Sequence, residues 1–191
     1  MTTLISTPNS SLDFWIFDDK ELLDRCVEEI KEKLSERPSI IVYGRECRQN
    51  RDVGFFSDDS IGYKYSRQIM ESKPLTENLK KLLENVNSRL GSGFNGILVN
   101  RYNNGEQYIG KHSDDESGLD DKGVVGISYG AVRKFRIRDK KEGKIVKDIP
   151  LEHMSVVHMK GSFQKEFTHE IPVEKKVKGE RISFTFRKHL E

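Results

Sequence analysis

Arg181-Ile182-Ser183-Phe184-Thr185-Phe186-Arg187 alternates polar and apolar side chains without a break. Successive side chains of a strand point to opposite faces, so this segment reads as one β-strand. Ile182, Phe184 and Phe186 pack behind it, while Arg181, Ser183, Thr185 and Arg187 share the other face. Two guanidiniums aimed inward would each bury a charge at large cost unless an anion meets them. A dicarboxylate ligand meets that need, because arginine grips a carboxylate with two parallel hydrogen bonds. The plain alternative is an edge strand whose polar face is wet.

Working back from this strand, apolar and β-branched runs recur at 96–102, 124–129, 132–138, 145–151, 154–159 and 164–171, with turns between them. Residues 132–138 (VRKFRIR) alternate in part, and Lys140-Lys141-Glu142-Gly143-Lys144 reads as a hairpin turn. Before Phe94 the texture is different. Leu22, Leu23, Cys26, Val27, Ile30 and Leu34 form one helical stripe that Asp18 or Asp19 can cap, ending before Pro38. Residues 39–43 read as a short strand. A second helix starts at Pro74, with Leu79, Leu82, Leu83, Val86 and Leu90 on one face and Gly91 as its stop. Two helices leaning on about eight short strands predict an α+β fold, a double-stranded β-helix (jelly roll) core backed by N-terminal helices.

The 191 residues fit one domain. The Ser- and Thr-rich stretch 1–12 is expected to be a flexible N-terminus, and 13–191 a single domain. Within it, a polar, aromatic-bearing segment at about 43–68 reads as a lid, and about 94–189 as the jelly-roll core. Lys plus Arg number 33 and Asp plus Glu 31, so net charge neither demands nor excludes a nucleic-acid partner. Cys26 and Cys47 are too few for a disulfide framework and match no zinc pattern. No apolar run approaches the ~20 residues that span a bilayer, and no secretory signal is evident. The expectation is an intracellular protein, neither secreted nor transmembrane, in nucleus or cytoplasm, and a monomer.

The chemistry begins at Lys111-His112-Ser113-Asp114-Asp115-Glu116. In extended chain His112 and Asp114 point the same way and can offer an imidazole nitrogen and a carboxylate oxygen to one point. A third ligand must come from His153, His158, His169 or His189. His169 is preferred: it lies in an expected strand, twelve and eighteen residues before Arg181 and Arg187. Two histidines and one carboxylate form the facial triad of non-haem iron(II) oxygenases, which leaves open positions for a 2-oxo acid and dioxygen. Read alone, His-x-Asp is more commonly an exposed loop histidine beside surface acids.

Further pieces keep a recognisable order: Asn100-Arg101-Tyr102 with Gly105, His112 to Glu116, Gly126-Ile127-Ser128-Tyr129-Gly130-Ala131, Pro150-Leu151-Glu152-His153, His169, and the closing Arg181 to Arg187 strand. Together they resemble the AlkB family, and within it the duplex-DNA repair branch, over roughly residues 39–189. The resemblance implies Fe(II) held by His112, Asp114 and His169, with 2-oxoglutarate and O2 as co-substrates. It implies Asn100, Tyr102, Arg181, Ser183, Thr185 and Arg187 around 2-oxoglutarate: Arg181 on the distal carboxylate assisted by Tyr102 and Thr185, and Arg187 steadying Asp114. Ser183 departs from the asparagine that many relatives carry, and His153 is read as structural. The activity implied is oxidative dealkylation of nucleobases of the 1-methyladenine or 3-methylcytosine type in DNA, releasing an aldehyde, succinate and carbon dioxide.

On the substrate side, a base must leave the stack to reach such a centre. Tyr63 and Tyr65 fall where the family places aromatics that sandwich the base, and Asp115 and Glu116 can face its exocyclic amine or a cationic lesion. Val42-Tyr43-Gly44 resembles a finger that fills the gap left in the duplex; a strand aromatic packed in the core is the plain alternative. Arg45, Arg48 and Arg51 are expected at phosphates. Lys134, Arg136 and Arg138, and the loop lysines Lys175, Lys176 and Lys178, extend the candidate basic surface. The partner implied is nucleic acid, DNA in single or double strands, with RNA as an alternative. A hydroxylase of protein or small molecules on the same fold is a further alternative.

Overall fold

The computed structural model describes residues 1–65, 68–115 and 122–189, without the side chains of Lys64, Tyr65 and Gln68. Two sheets face each other. The larger runs β1 (Thr2–Ser6), β2 (Ser10–Ile16), β13 (Ser155–Gly161), β10 (Val124–Gly130), β15 (Arg181–Arg187), β8 (Gly96–Tyr102), β5 (Asp52–Phe56) in spatial order. The smaller runs β12 (Ile145–Leu151), β11 (Arg133–Asp139), β14 (Phe167–Ile171), β9 (Ile109–His112). Two hairpins stand apart as small ribbons, β3 (Ser39–Val42) with β4 (Arg45–Arg48), and β6 (Gly62–Tyr65) with β7 (Gln68–Glu71).

Helix α1 (Lys20–Ile30) starts where Asp19 accepts the backbone N–H of Leu22 at 2.9 Å. Helix α2 (Glu77–Leu90) starts three residues past Pro74, where it was expected, is capped by the Thr76 hydroxyl, and stops at Gly91 in the left-handed region. Their stripes, among them Leu22, Cys26, Ile30, Leu79, Leu82 and Val86, pack on Ile97, Val99, Val125, Ile127, Ile182, Phe184 and Phe186 of the larger sheet. The other face of that sheet meets the smaller sheet through Leu12, Val124, Phe135, Ile137, Ile149, Leu151, Val157 and Met159. The alternation read in the last strand therefore has a cause on both sides: helices behind, a pocket in front. Short helix α3 (Phe163–Glu166) leads into β14.

Two expectations are corrected. Residues 2–16, expected to be flexible up to 12, form the β1–β2 hairpin, and β2 pairs with β13 from Ser10 to Ile16. Ser and Thr suit strand as well as loop, and the apolar positions that betray the strand, Leu12 and Trp15, are both buried. The lid span 43–68 likewise contains β5, which is buried throughout and pairs with β8. Its flanking hairpins lie outside both main sheets.

Burial also sets the thiol chemistry. Cys26 lies in the helix–sheet core, where burial, with Glu29 adding to it, pushes its thiol up to about 12. Cys47 is exposed on β4. A thiol reagent should therefore label Cys47 alone in the folded chain, with Cys26 reacting only on unfolding; rapid labelling of both in the native protein would contradict the packing of α1.

Candidate active site

Strand pairing sets the metal cluster. β9 and β14 run antiparallel with His112 directly opposite His169, their rings 4.3 Å apart. Asp114 follows β9 by two residues, and its Oδ2 lies 3.3 Å from His169 Nε2. The candidate ligand atoms of His112, Asp114 and His169 all fall within 4.8 Å of one another. His112 Nδ1 is 2.8 Å from the Gly110 carbonyl, which fixes that nitrogen as the donor and turns Nε2 toward the cluster. Asp114 is held from two sides: its N–H donates to Gln164 Oε1 at 2.9 Å, and Arg187 Nη2 donates to its Oδ1 at 3.3 Å.

The electrostatics favour a cation. Burial opposes ionisation of Asp114, but Arg187 and the two histidines outweigh it and hold the carboxyl well below the usual range. Burial, with His169 as a like neighbour, pushes His112 down to about 4. A neutral His112 imidazole beside an ionised carboxylate suits binding of a divalent metal. The donor set, two nitrogens and one oxygen on one side of a pocket, fits iron(II).

The second cluster follows from the register of β15 with its neighbours. Arg181 faces Tyr102, and Ser183 faces Asn100 on β8 and Ser128 on β10. Arg181 is buried; Nη2 donates to Ser128 Oγ at 3.0 Å, but Nε and Nη1 have no hydrogen-bond partner among the described residues. Burial pushes its pKa down to about 10, with the Tyr102 phenol opposing. A buried guanidinium with two unsatisfied nitrogens has the donors to grip a carboxylate. Both clusters line one pocket, together with Arg51, Tyr63, Ile109, Phe135 and Ile171.

A scan against family models matches residues 14–187 to the 2OG-Fe(II) oxygenase superfamily. The chain is 30% identical over 178 residues to DNA oxidative demethylase ALKBH2 of Homo sapiens, covering 89% of this chain and 68% of that protein. The chain belongs to the AlkB family of 2OG-Fe(II) oxygenases. It is also 33% identical over 137 residues to alpha-ketoglutarate-dependent dioxygenase alkB homolog 3 of Homo sapiens, covering 66% of this chain and 48% of that one. A solved structure of OsALKBH1 shares the fold, with TM-score 0.61 at 16% identity over 98% of this chain and 100% of its own. As a member of the AlkB family the chain is an iron(II)- and 2-oxoglutarate-dependent dioxygenase that uses O2, and His112, Asp114 and His169 form the group able to hold the metal.

Several expected residues sit elsewhere than their assigned tasks suggested. Thr185, expected beside Arg181, faces Leu98 and Gly126, four residues and so about 13 Å along the strand. It belongs to the Arg187 end of the pocket. Arg51, expected at a phosphate, is buried in the pocket and donates from Nε to Asn100 Oδ1 at 2.8 Å. The Lys134, Arg136 and Arg138 stripe is neutralised: Arg136 grips Asp148 at 2.8 and 2.9 Å, Lys134 approaches the same carboxylate, and Arg138 pairs with Glu170. Tyr63 is buried against the Arg187 guanidinium, 4.9 Å from its ring centre, and stacks on His189. Asp115 is exposed, with Lys140 3.4 Å away. Glu116 and the Tyr65 side chain lie outside the described residues. His153 accepts the Gly130 N–H, in keeping with a structural role.

Ser128, Gln164 and Arg133 were not singled out from the sequence. Parity exposes two of them. Ser128 shares its face with Gly126 and the pocket, and Arg133 shares its face with Phe135 and Ile137, opposite the noticed Lys134, Arg136 and Arg138. Gln164 reaches Asp114 from α3, which no local pattern ties to it.

Proposed function

We propose that this dioxygenase removes alkyl groups from N-alkylated nucleobases of the 1-methyladenine or 3-methylcytosine type in DNA, a repair activity. The observation that carries the reading is Tyr43. It is fully exposed, at the tip of the β3–β4 hairpin, with φ 49° beside Gly44 at 76°. Positive φ at both central residues is the two-residue turn that matches strand twist, and an aromatic at its first position is strained by roughly 1–2 kcal/mol. A strained, unpacked ring does nothing for the fold. It suits a wedge that enters a base stack, with exposed Arg45 and Arg48 beside it for phosphates. Relatives at 30% identity named DNA oxidative demethylase support the same reading.

The residues take complementary parts. His112, Asp114 and His169 hold iron(II); Arg181 and Tyr102 hold the distal carboxylate of 2-oxoglutarate, with Asn100, Ser183, Thr185 and Arg187 along its length. Iron(II), 2-oxoglutarate and dioxygen together supply the oxidant that hydroxylates the alkyl carbon, leaving succinate and carbon dioxide. The hydroxylated alkyl group then leaves as an aldehyde. Tyr63 lines the pocket and is assigned to the base; Tyr65 is assigned to it from its place in the sequence, and Asp115 and Glu116 likewise to the amine or cationic edge of the lesion.

The test is incubation with iron(II), 2-oxoglutarate and matched oligonucleotides carrying 1-methyladenine or 3-methylcytosine, single- and double-stranded, in DNA and RNA, read by mass. Loss of the methyl group from DNA is expected. Succinate formation with every oligonucleotide unchanged would point instead to a protein or small-molecule substrate. Tyr43→Ala should lower turnover of duplex about tenfold or more, the worth of easing one base step apart, and leave single strands near wild type. Equal losses on both would remove the wedge. Tyr43→Asn, which tolerates positive φ, should keep or raise thermal stability while losing the same duplex activity.

A further inference from the structure

We propose that Arg133 is a positioning residue for the co-substrate, fixing the Tyr102 ring beside Arg181; this rests on the reading that Arg181 and Tyr102 receive the distal carboxylate. Two buried guanidiniums lie close to the same ring, that of Tyr102, at the Arg181 end of the pocket. The Arg181 guanidinium carbon is 5.5 Å from the Tyr102 ring centre and that of Arg133 is 5.6 Å. Burying two like charges together is unfavourable unless each has a distinct counter-charge.

Their surroundings divide the work. Arg133 is engaged by protein at every nitrogen: Nε donates to Glu174 Oε2 at 3.1 Å, Nη1 to the Asn104 carbonyl at 3.1 Å, and Nη2 to the Gln107 and Pro172 carbonyls at 2.9 and 2.8 Å. Four of its five N–H groups are thereby taken. Arg181 keeps two nitrogens without a hydrogen-bond partner among the described residues, and no ion pair is found for it there. Arg133 with Glu174 is thus a neutral unit, and Arg181 is the cation that awaits a carboxylate.

What the neutral unit touches is Tyr102. Its four acceptors lie on two connections, 103–108 after β8 and 172–180 before β15. Those connections are themselves joined: Gly105 donates to the Val177 carbonyl and accepts from Glu174 N–H, both at 2.8 Å. A Cβ at Gly105 would lie 1.9 Å from the Glu174 carbonyl oxygen, so the approach requires glycine. An apolar side chain in place of Arg133 would fill the space. Only a planar cation with directed donors ties both connections down and also gives the ring a charged face. The ring then lies against both guanidiniums, which holds its phenol in one direction.

The test uses Arg133→Met and Glu174→Gln, each alone and combined with Tyr102→Phe, which keeps the ring and removes the phenol. Binding of 2-oxoglutarate is measured by calorimetry on protein loaded with manganese(II), and KM and kcat on the iron(II) enzyme. Arg133→Met is expected to weaken 2-oxoglutarate about tenfold in both binding and KM, with kcat held within about twofold. Glu174→Gln should give a smaller loss in the same direction. In the Tyr102→Phe background neither substitution should weaken 2-oxoglutarate further, because no phenol remains to be aimed. The same loss in both backgrounds, or unchanged affinity in the single variants, overturns the proposal. If Arg133→Met does not fold, Glu174→Gln in the two backgrounds decides alone, since Glu174 lies in a partly exposed loop. Arg181→Met tests the underlying reading separately: unchanged 2-oxoglutarate binding there removes that reading, whatever the Arg133 variants show.

Discussion

His112→Ala and Asp114→Ala should each lower succinate formation by at least about 10³-fold, since losing a metal ligand exceeds the 10–100-fold typical of the groups that support one. The two should differ in stability. His112 is partly exposed, and its ring is tied to the fold by one hydrogen bond to Gly110. Asp114 is buried, within 3.3 Å of both His169 and the fully buried Arg187. Removing its carboxylate breaks a buried ion pair, worth about 3–5 kcal/mol when one partner is lost. Asp114→Ala should therefore melt well below wild type, and His112→Ala close to it. Iron(II) or manganese(II) should raise the melting temperature of the wild type and of neither variant, because only a ligand bound by the native state stabilises it. Undiminished succinate formation by His112→Ala would remove the metal assignment.

The strand Arg181–Arg187 was legible because it answers to two partners at once. Ile182, Phe184 and Phe186 must meet the helices, and Arg181, Ser183, Thr185 and Arg187 must meet the pocket, so the period-2 pattern is unbroken. The facial triad was legible for a similar reason. His112 and Asp114 are near in sequence, and His169 is brought opposite His112 by plain antiparallel register. Where a residue serves long-range partners, local pattern falls silent. Arg133 looks like one more charge among Lys134, Arg136 and Arg138, yet its partners are 26 to 41 residues away. The N-terminal strands failed for another reason. Their Ser and Thr positions suit loop and strand equally, and only pairing with β13 decides between them. Arg51 lost its expected phosphate because β5, thought part of a lid, belongs to the main sheet and turns that side chain toward Asn100.

Arg181→Met should move stability and co-substrate affinity in opposite directions. In the ligand-free protein Arg181 is a buried cation whose Nε and Nη1 find no acceptor among the described residues, and burial already pushes its pKa down. Replacing such a charge with an apolar side chain of similar length is commonly neutral or stabilising, by up to about 4 kcal/mol. The variant should thus unfold at the same or a higher temperature than wild type when no 2-oxoglutarate is present. With 2-oxoglutarate the order reverses. Truncating one partner of a buried, hydrogen-bonded charge pair is worth about 2–5 kcal/mol, so KM for 2-oxoglutarate should rise at least about thirtyfold. The melting temperature of the wild type should climb with 2-oxoglutarate concentration, while that of the variant stays flat over the same range. A variant that melts lower than wild type without ligand would mean that Arg181 already has its counter-charge within the protein. A variant whose 2-oxoglutarate dependence is unchanged would mean that the carboxylate is held elsewhere.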